Sequence, residues 1–249
     1  MTNKLKYFVA NWKMFGNLAS LKSANKINYY ISSKKKLRSH SKIILCLPNT
    51  LIYFFKKNFH SKFISLGAQN CHQDEKYGSY TGSVSSYMLK NVGAKYVILG
   101  HSENRITGES NNVIKKKIKS ALNQNLKVIL CVGETLKEKN KKKTFSVIKN
   151  QIISSLGKKF NTNKIIIAYE PVWAIGSGKI PKTNKLEAIF KLIKKNFKHK
   201  KTPVVLYGGS VNAKNIRNFS SVPNIDGFLI GGASQTPKKF IDIIKNYYK

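Results

Sequence analysis

The sequence predicts a single (β/α)8 barrel with a parallel eight-stranded core that extends over residues 1–249. Eight short runs of apolar residues recur along the chain, and a stretch with helical periodicity follows each one. Continuously apolar strands that alternate with helices are typical of a parallel sheet covered by helices. No interruption is long enough for a second domain, and a chain of 249 residues has a usual length for one barrel.

The first half of the chain contains four of these strand–helix units. The first apolar run ends at Asn11, and Pro48 ends the second because proline has no N–H to donate to a central ladder. A long polar loop, from Gln69 to Ser83, follows the third run. The predicted strands are residues 7–11, 43–47, 63–68 and 96–99, and helices are expected from residues 18 and 50 and over residues 86–91 and 110–125.

The second half of the chain repeats the pattern four more times. Pro171 prevents the sixth strand from continuing past Glu170. A basic helix of unusual length is expected over residues 136–156. The predicted strands are residues 128–132, 165–169, 204–207 and 225–230, and the other helices are residues 185–197, 211–219 and 237–248.

An open, doubly wound sheet is the alternative arrangement for alternating strands and helices. No predicted strand is followed by the Gly-x-Gly-x-x-Gly turn that binds dinucleotides in such sheets. Residues 176–180, Gly-Ser-Gly-Lys-Ile, are not a P-loop, because they lack its earlier glycine and its final serine or threonine. The closed barrel is therefore the favoured prediction.

The net charge of +36 is unusual for a barrel of this size. Only three of the 46 basic residues are arginine, and the lysines are spread over the whole chain. A nucleic-acid surface more often uses arginine and concentrates it on one face. The excess of lysine, isoleucine and asparagine indicates an AT-biased coding composition, so we expect no specific nucleic-acid partner.

Apolar segments and cysteines limit the other classes of function. The apolar run at residues 7–10 is too short for the core of a signal peptide, and no run approaches the roughly 18 residues of a membrane span. We therefore expect a soluble cytoplasmic protein without a membrane partner. Cys46, Cys71 and Cys131 show no metal-ligand spacing, and the sequence predicts neither a metal nor a cofactor.

Polar residues and glycines stand where the predicted strands end. Asn11 and Lys13 follow the first strand, His101 the fourth, and Glu170 the sixth. Active sites of barrels lie at the carboxyl ends of the strands, so these residues are expected to meet. Glycine turns after strands seven and eight are where this fold commonly binds phosphate. One base, one proton carrier, one cation and one phosphate site suit proton abstraction next to a carbonyl of a small phosphorylated substrate.

The segment after strand six has the composition of a hinged lid. A single carboxylate, Glu170, ends the strand, and the stiff sequence Pro-Val-Trp follows at residues 171–173. Permissive glycines at positions 176 and 178 come next. A carboxylate beside a glycine-bearing loop favours a catalytic base covered by a movable lid. The alternative is that Glu170 merely ends a buried strand and that the loop merely turns the chain.

Six segments of the chain together resemble the triosephosphate isomerase family, in that family's order and near its spacing. The resemblance covers the whole chain. It implies the interconversion of dihydroxyacetone phosphate and D-glyceraldehyde 3-phosphate in glycolysis and gluconeogenesis, without cofactor or metal. The segments are residues 11–14, 100–103, 131–134, 169–176, 207–211 and 226–234.

The resemblance also implies roles for the residues at the strand ends, carried over from roles known for this family. Glu170 would shuttle the proton between two carbons, and neutral His101 would polarise the carbonyl, with the helix N-terminus after it disfavouring the imidazolium. Lys13 would stabilise the charge of the enediolate and the phosphate, and Asn11 would position the substrate. Closure of the lid would exclude water from the intermediate.

Backbone N–H groups would hold the phosphate. The resemblance assigns this role to Gly176, Ser210, Gly231 and Gly232. Glu103 and Ser102 would contact the catalytic residues rather than the substrate, with Glu103 near Lys13. Cys131 and Glu134 look structural rather than catalytic.

Departures from the family pattern concern the dimer rather than the catalytic residues. Asn104 replaces an arginine and Ser83 a glutamate, and these two charged positions tend to pair near the family's subunit interface. Loss of both partners is less damaging than loss of one, which would leave an unpaired charge. Thr81, which in the family reaches the neighbouring site, is present. The resemblance therefore predicts a homodimer formed through the loop from Gln69 to Ser83.

Two other classes of function remain open on the sequence. A different phosphate-binding barrel enzyme would explain the glycines but not Asn11, Lys13, His101 and Glu170 in this order. A polycationic RNA-binding protein on a catalytically inactive barrel would allow the catalytic residues to change, yet each expected one is present.

Overall fold

The computed structural model describes residues 5–157, 162–197 and 202–249. Eight strands, all parallel, form a closed barrel in chain order, and the last strand pairs with the first. The eight-stranded barrel is therefore confirmed. The strands are β1 (Lys6–Asn11), β2 (Ser41–Cys46), β3 (Ile64–Ala68), β4 (Tyr96–Leu99), β5 (Lys127–Val132), β6 (Ile165–Tyr169), β7 (Val204–Tyr207) and β8 (Gly227–Ile230).

Ten α-helices in the described residues surround the barrel. They are α1 (Leu21–Ser32), α2 (Lys35–His40), α3 (Asn49–Asn58), α4 (Ser86–Asn91), α5 (Ser102–Ile106), α6 (Asn111–Asn123), α7 (Leu136–Asn140), α8 (Thr144–Leu156), α9 (Thr183–Lys195) and α10 (Pro237–Tyr247). None of the helices in the described ranges combines the length and the apolar character that a bilayer span requires.

The strands are apolar on both faces because each face packs against a different layer. Side chains that alternate along the strands, such as Val9, Ile44 and Ile129, form a cluster inside the barrel. Their neighbours, such as Phe8 and Leu45, belong to a larger cluster between the strands and the helices. This two-sided burial explains why the strands appear in the sequence as continuous apolar runs.

Two helix predictions differ from the structure. Residues 211–219 contain only a 3-10 turn, Ile216–Phe219. The segment holds three asparagines, which have a low helix propensity, and the N–H groups of Asn218 and Ser220 donate to carbonyls three rather than four residues earlier. The predicted helix over residues 136–156 is divided into α7 and α8. Lys142 lies between them with a positive φ of 56°, in a run of lysines whose charges repel in a continuous helix.

Helix α2 was not predicted from the sequence. Leu37 is its only buried residue, so residues 35–40 carry no apolar periodicity that would indicate a helix.

Candidate active site

The carboxyl ends of the strands surround a cavity of about 330 Å3. Every residue that the sequence analysis assigned to catalysis or substrate binding lines this cavity. These residues are Asn11, Lys13, His101, Glu170, Gly176, Ser210, Gly231 and Gly232. Gly178, expected only as a lid glycine, also lines the cavity. Five further lining residues have no sequence signal for a site role, because none carries a catalytic side chain: Ile175, Val211, Asn212, Leu229 and Ala233.

Glu170 follows β6 and lies almost entirely out of solvent, with 4% of its side chain exposed. Its backbone N–H donates to the carbonyl of Val132, 2.8 Å away, which extends the parallel ladder by one residue. The N–H of Ser102 donates to Oε2 at 3.3 Å, and His101 Nε2 lies 3.2 Å from Oε1. Both carboxylate oxygens are therefore held in place by the start of α5.

Close backbone approach around Glu170 requires glycine on both neighbouring strands. A Cβ atom at Gly133 would lie 1.8 Å from the carbonyl oxygen of Glu170, and one at Gly208 would lie 2.8 Å from its Cγ. A side chain at Gly133 would displace the backbone of Glu170, and one at Gly208 would displace its side chain.

His101 is the N-cap residue of α5, and its ring accepts a hydrogen bond from the helix. The N–H of Glu103 donates to Nδ1 at 3.3 Å, so the proton of the neutral imidazole belongs on Nε2, which faces Glu170. Burial lowers the pKa of His101, but the nearby carboxylates of Glu170 and Glu103 raise it by more, and the net pKa lies above the ordinary value. The hydrogen bond at Nδ1 favours the neutral ring, whereas the two carboxylates favour the imidazolium.

Lys13 occupies a left-handed backbone conformation, with φ of 56°, which is uncommon for a residue with a side chain. Two hydrogen bonds hold it there: its N–H donates to Oδ1 of Asn11 at 3.1 Å, and Gln69 Nε2 donates to its carbonyl at 3.0 Å. The ammonium group lies 2.6 Å from Oε1 of Glu103. The sequence analysis placed Glu103 near Lys13, and the structure brings the two together.

The lid follows Glu170 as a 3-10 turn, Val172–Ala174, and continues to Pro181. Ser210 joins it to the loop after β7: its hydroxyl donates to the carbonyl of Ala174 at 2.6 Å and accepts from the N–H of Gly178 at 3.1 Å. The sequence analysis predicted Ser210 only as a phosphate-binding residue. Its contact with the lid was not predicted, because serine in a glycine turn has no pattern that identifies its partner.

Glu134 holds the other end of the lid. Trp173 Nε1 donates to its Oε1 at 2.9 Å, and the hydroxyl of Tyr169 donates to its Oε2 at 3.2 Å. Burial raises the pKa of the Glu134 carboxyl, although these hydrogen bonds act in the opposite direction. Glu134 is therefore a structural partner of the lid hinge and lies outside the cavity.

Arg105 connects the ends of two strands below His101. Its Nε donates to the carbonyl of Gly100 at 2.8 Å, and its Nη2 donates to that of Cys131 at 3.2 Å. Asn111 Oδ1 accepts a further hydrogen bond from Arg105 Nη1 at 2.7 Å, which connects Arg105 to the start of α6.

Comparisons with known proteins all point to one family. The sequence model of the family described as triosephosphate isomerase matches residues 6–247. The chain is 43% identical to the triosephosphate isomerase of Dictyoglomus thermophilum, over 97% of this chain and 99% of that protein. It is 40% identical to that of Aquifex aeolicus, over 96% and 98%.

A solved structure gives the same result at the level of the fold. The crystal structure of triosephosphate isomerase from Bartonella henselae superposes with a TM-score of 0.88 at 34% identity, covering 98% of this chain and 99% of that one. The resemblance carried by the sequence motifs is thus confirmed along the whole match, and the chain belongs to the triosephosphate isomerase family.

Proposed function

We propose that this protein interconverts dihydroxyacetone phosphate and D-glyceraldehyde 3-phosphate, the isomerisation that its family carries out in glycolysis and gluconeogenesis, through an enediolate intermediate. The observation that carries the proposal is the contact between Glu170 and His101, 3.2 Å apart, at the base of a cavity that also contains Lys13. A carboxylate base, an imidazole donor and a cation in one enclosed site suit proton transfer next to a carbonyl.

Glu170 is the base in this proposal. Its carboxylate removes a proton from the carbon next to the carbonyl, and the electron pair moves onto the carbonyl oxygen to form an enediolate. Glu170 then returns the proton to the neighbouring carbon, so no proton is gained or lost overall.

His101 acts on the two oxygens. Its Nε2–H donates to the carbonyl oxygen and then moves protons between the oxygens of the enediolate. Because Glu170 loses its charge when it takes the substrate proton, it no longer favours the imidazolium at that stage. The N–H of Glu103 at Nδ1 then supports a neutral ring.

Lys13, Asn11 and the glycine turns bind the substrate. The ammonium group of Lys13 stabilises the negative charge of the enediolate and the phosphate, and Asn11 orients the substrate. Backbone N–H groups hold the phosphate, and the lid excludes water so that the intermediate does not lose it. The phosphate-binding residues in this proposal are Gly176, Ser210, Gly231 and Gly232.

Shortening the base tests this proposal. In Glu170→Asp, the carboxylate withdraws from the substrate carbon by about one bond length, and such a misplacement costs about 100-fold in rate. We expect kcat in a coupled assay with D-glyceraldehyde 3-phosphate to fall by that amount while KM changes little. Glu187→Asp makes the same change on the exposed face of α9 and serves as the control. Absence of isomerisation in the wild type, or an unchanged rate in Glu170→Asp, would contradict the proposal.

We further propose that the enzyme is a cytoplasmic homodimer formed through loop 69–83. Tyr77 in this loop is 76% exposed, and Met14 beside the catalytic Lys13 is 100% exposed. The hydrogen bond from Gln69 to the carbonyl of Lys13 places the two loops side by side. Exposed apolar side chains on two loops that meet beside a site favour an interface with a second copy of the chain.

A further inference from the structure

The lid separates two cavities. Ile175, Gly176 and Gly178 line the catalytic cavity, whereas Trp173 and residues 179–181 line a second cavity of about 800 Å3, which we call the lid cleft. No described residue lines both. The volume of the lid cleft lies in the range of small-molecule sites, which is about 300–1,000 Å3.

Five of the six charged groups that line the lid cleft are cationic. Its one carboxylate, Glu134, is already bonded to Trp173 and Tyr169. The ammonium group of Lys139 lies 3.3 Å from the centre of the Trp173 ring. Among the described residues, the other four lysines of the cleft have no carboxylate within ion-pair distance. These four are Lys142, Lys179, Lys182 and Lys185.

An apolar surface lies beside these charges. Phe145, the second residue of α8, is 41% exposed, and Ile180 and Ile189 also line the cleft. Surface lysines alone attract any small anion, but an exposed aromatic face among them favours an anion that carries a flat ring. Phosphate groups suit lysine, which binds them as a point charge.

We propose that the lid cleft binds a nucleoside phosphate, with its ring against Phe145 and its phosphate oxygens against Lys179, Lys182 and Lys185. The bound molecule connects the end of the lid to α9 while Trp173 remains bonded to Glu134. Its binding therefore stabilises the lid conformation seen here relative to any conformation in which Trp173 and residues 179–181 no longer line the cleft. Turnover that requires the lid to move then slows.

The experiment is a calorimetric titration with ATP at fixed ionic strength. Saturating glycerol 3-phosphate fills the catalytic cavity and prevents ATP from binding there. The wild type is compared with Lys182→Gln/Lys185→Gln, with Phe145→Ala, and with Lys238→Gln/Lys239→Gln. The last variant removes the same charge from the first turn of α10 and is the matched control. Inorganic triphosphate is the probe without a ring.

We expect ATP to occupy one saturable site per chain. Its affinity should be about tenfold lower for Lys182→Gln/Lys185→Gln, because the variant loses two charge-assisted hydrogen bonds to the phosphates at an exposed site. Phe145→Ala should reduce the preference for ATP over triphosphate, and the control variant should bind ATP as tightly as the wild type does. In a separate assay without glycerol 3-phosphate, ATP should lower kcat for isomerisation. Equal losses in the two double variants would indicate only the general positive field and overturn the proposal. So would non-saturable binding, or triphosphate binding as tightly as ATP.

Discussion

The 3.2 Å contact between His101 Nε2 and Glu170 Oε1 makes the pKa of the imidazole depend on the carboxylate, which raises it. Burial opposes the imidazolium, so the raised pKa of His101 requires the carboxylates near it. Glu103 also approaches the ring, with Oε2 3.6 Å from Nδ1, but its side chain is far more exposed than that of Glu170. Glu170 is therefore the larger cause.

Glu170→Gln should lower the pKa of His101 relative to the wild type. Burial still lowers this pKa in the variant, but the larger of the two carboxylate effects that raise it is lost. NMR titration of the His101 ring measures this change, with the ring of His40 on α2 as an internal reference far from the site. In the wild type, the raised pKa also makes protonation of His101 favour the folded chain. That contribution is present below the ordinary histidine pKa and is lost as the pH rises through the folded value. A higher pKa in the variant would show that another group controls the ring.

Residue types at strand ends predict which side chains should meet, and those side chains lie together in the structure. Glu170, His101 and Lys13 lie at the carboxyl ends of different strands, and the barrel brings them to one cavity. The backbone conformation of Lys13 could not be predicted, because it depends on Gln69, which is 56 residues distant in sequence. The protonated nitrogen of His101 likewise depends on the position of one N–H in α5.

Among the elements, the lid is held at two places by side chains outside it. Trp173 is bonded to Glu134 near the first end, and the hydroxyl of Ser210 bonds to Ala174 and Gly178 further along. Lids draw their stability from few contacts, so that they can move. Loss of one of these contacts should therefore affect catalysis more than global stability.

Ser210→Ala removes both lid contacts of this side chain but keeps its backbone N–H. Two hydrogen bonds at about 1 kcal/mol each correspond to a loss of roughly 30-fold in kcat/KM. A less closed lid admits water, so a larger share of the intermediate should lose its phosphate. Inorganic phosphate released per isomerisation measures this share. Ser220→Ala removes an exposed hydroxyl that bonds only the carbonyl of Arg217 and is the control. Equal phosphate release in the two variants would exclude a role for Ser210 in closing the lid.

The limits of sequence analysis at the level of elements have local physical causes. Strands were predicted well because burial on both faces leaves a continuous apolar signal. The sequence also predicts a helix over residues 211–219, yet the three asparagines of this segment have a low helix propensity and only a 3-10 turn forms. The division between α7 and α8 arises at Lys142, whose positive φ has no glycine to mark it.

For the whole molecule, the dominant feature is the charge of +36. Two copies of such a chain repel each other, and the repulsion extends over a Debye length of about 30 Å at 0.01 M salt but only about 8 Å at 0.15 M. The field also attracts anionic substrates, so kcat/KM should itself depend on salt. The proposed dimer must form despite this repulsion. It also lacks the arginine–glutamate pair expected from the family pattern, because Asn104 and Ser83 occupy those two positions.

The dimer should therefore become tighter as salt is added, the opposite of an interface held by ion pairs. Sedimentation velocity at about 10 mM and about 150 mM salt should show a larger dimer fraction at the higher concentration, because screening reduces the repulsion between subunits. Specific activity should fall on dilution at low salt, since Thr81 of a second copy is expected to complete the site.

Two tyrosines of equal exposure separate an effect at the interface from an effect on the general surface. Tyr77, in loop 69–83, and Tyr29, on α1, are each 76% exposed. Tyr77→Ala should shift the monomer–dimer equilibrium towards the monomer by about tenfold, because an aromatic side chain at an interface commonly contributes more than 1 kcal/mol. Tyr29→Ala should leave the equilibrium unchanged. A monomer that is fully active at every salt and protein concentration would refute the dimer, and equal shifts in the two variants would place the interface elsewhere on the barrel.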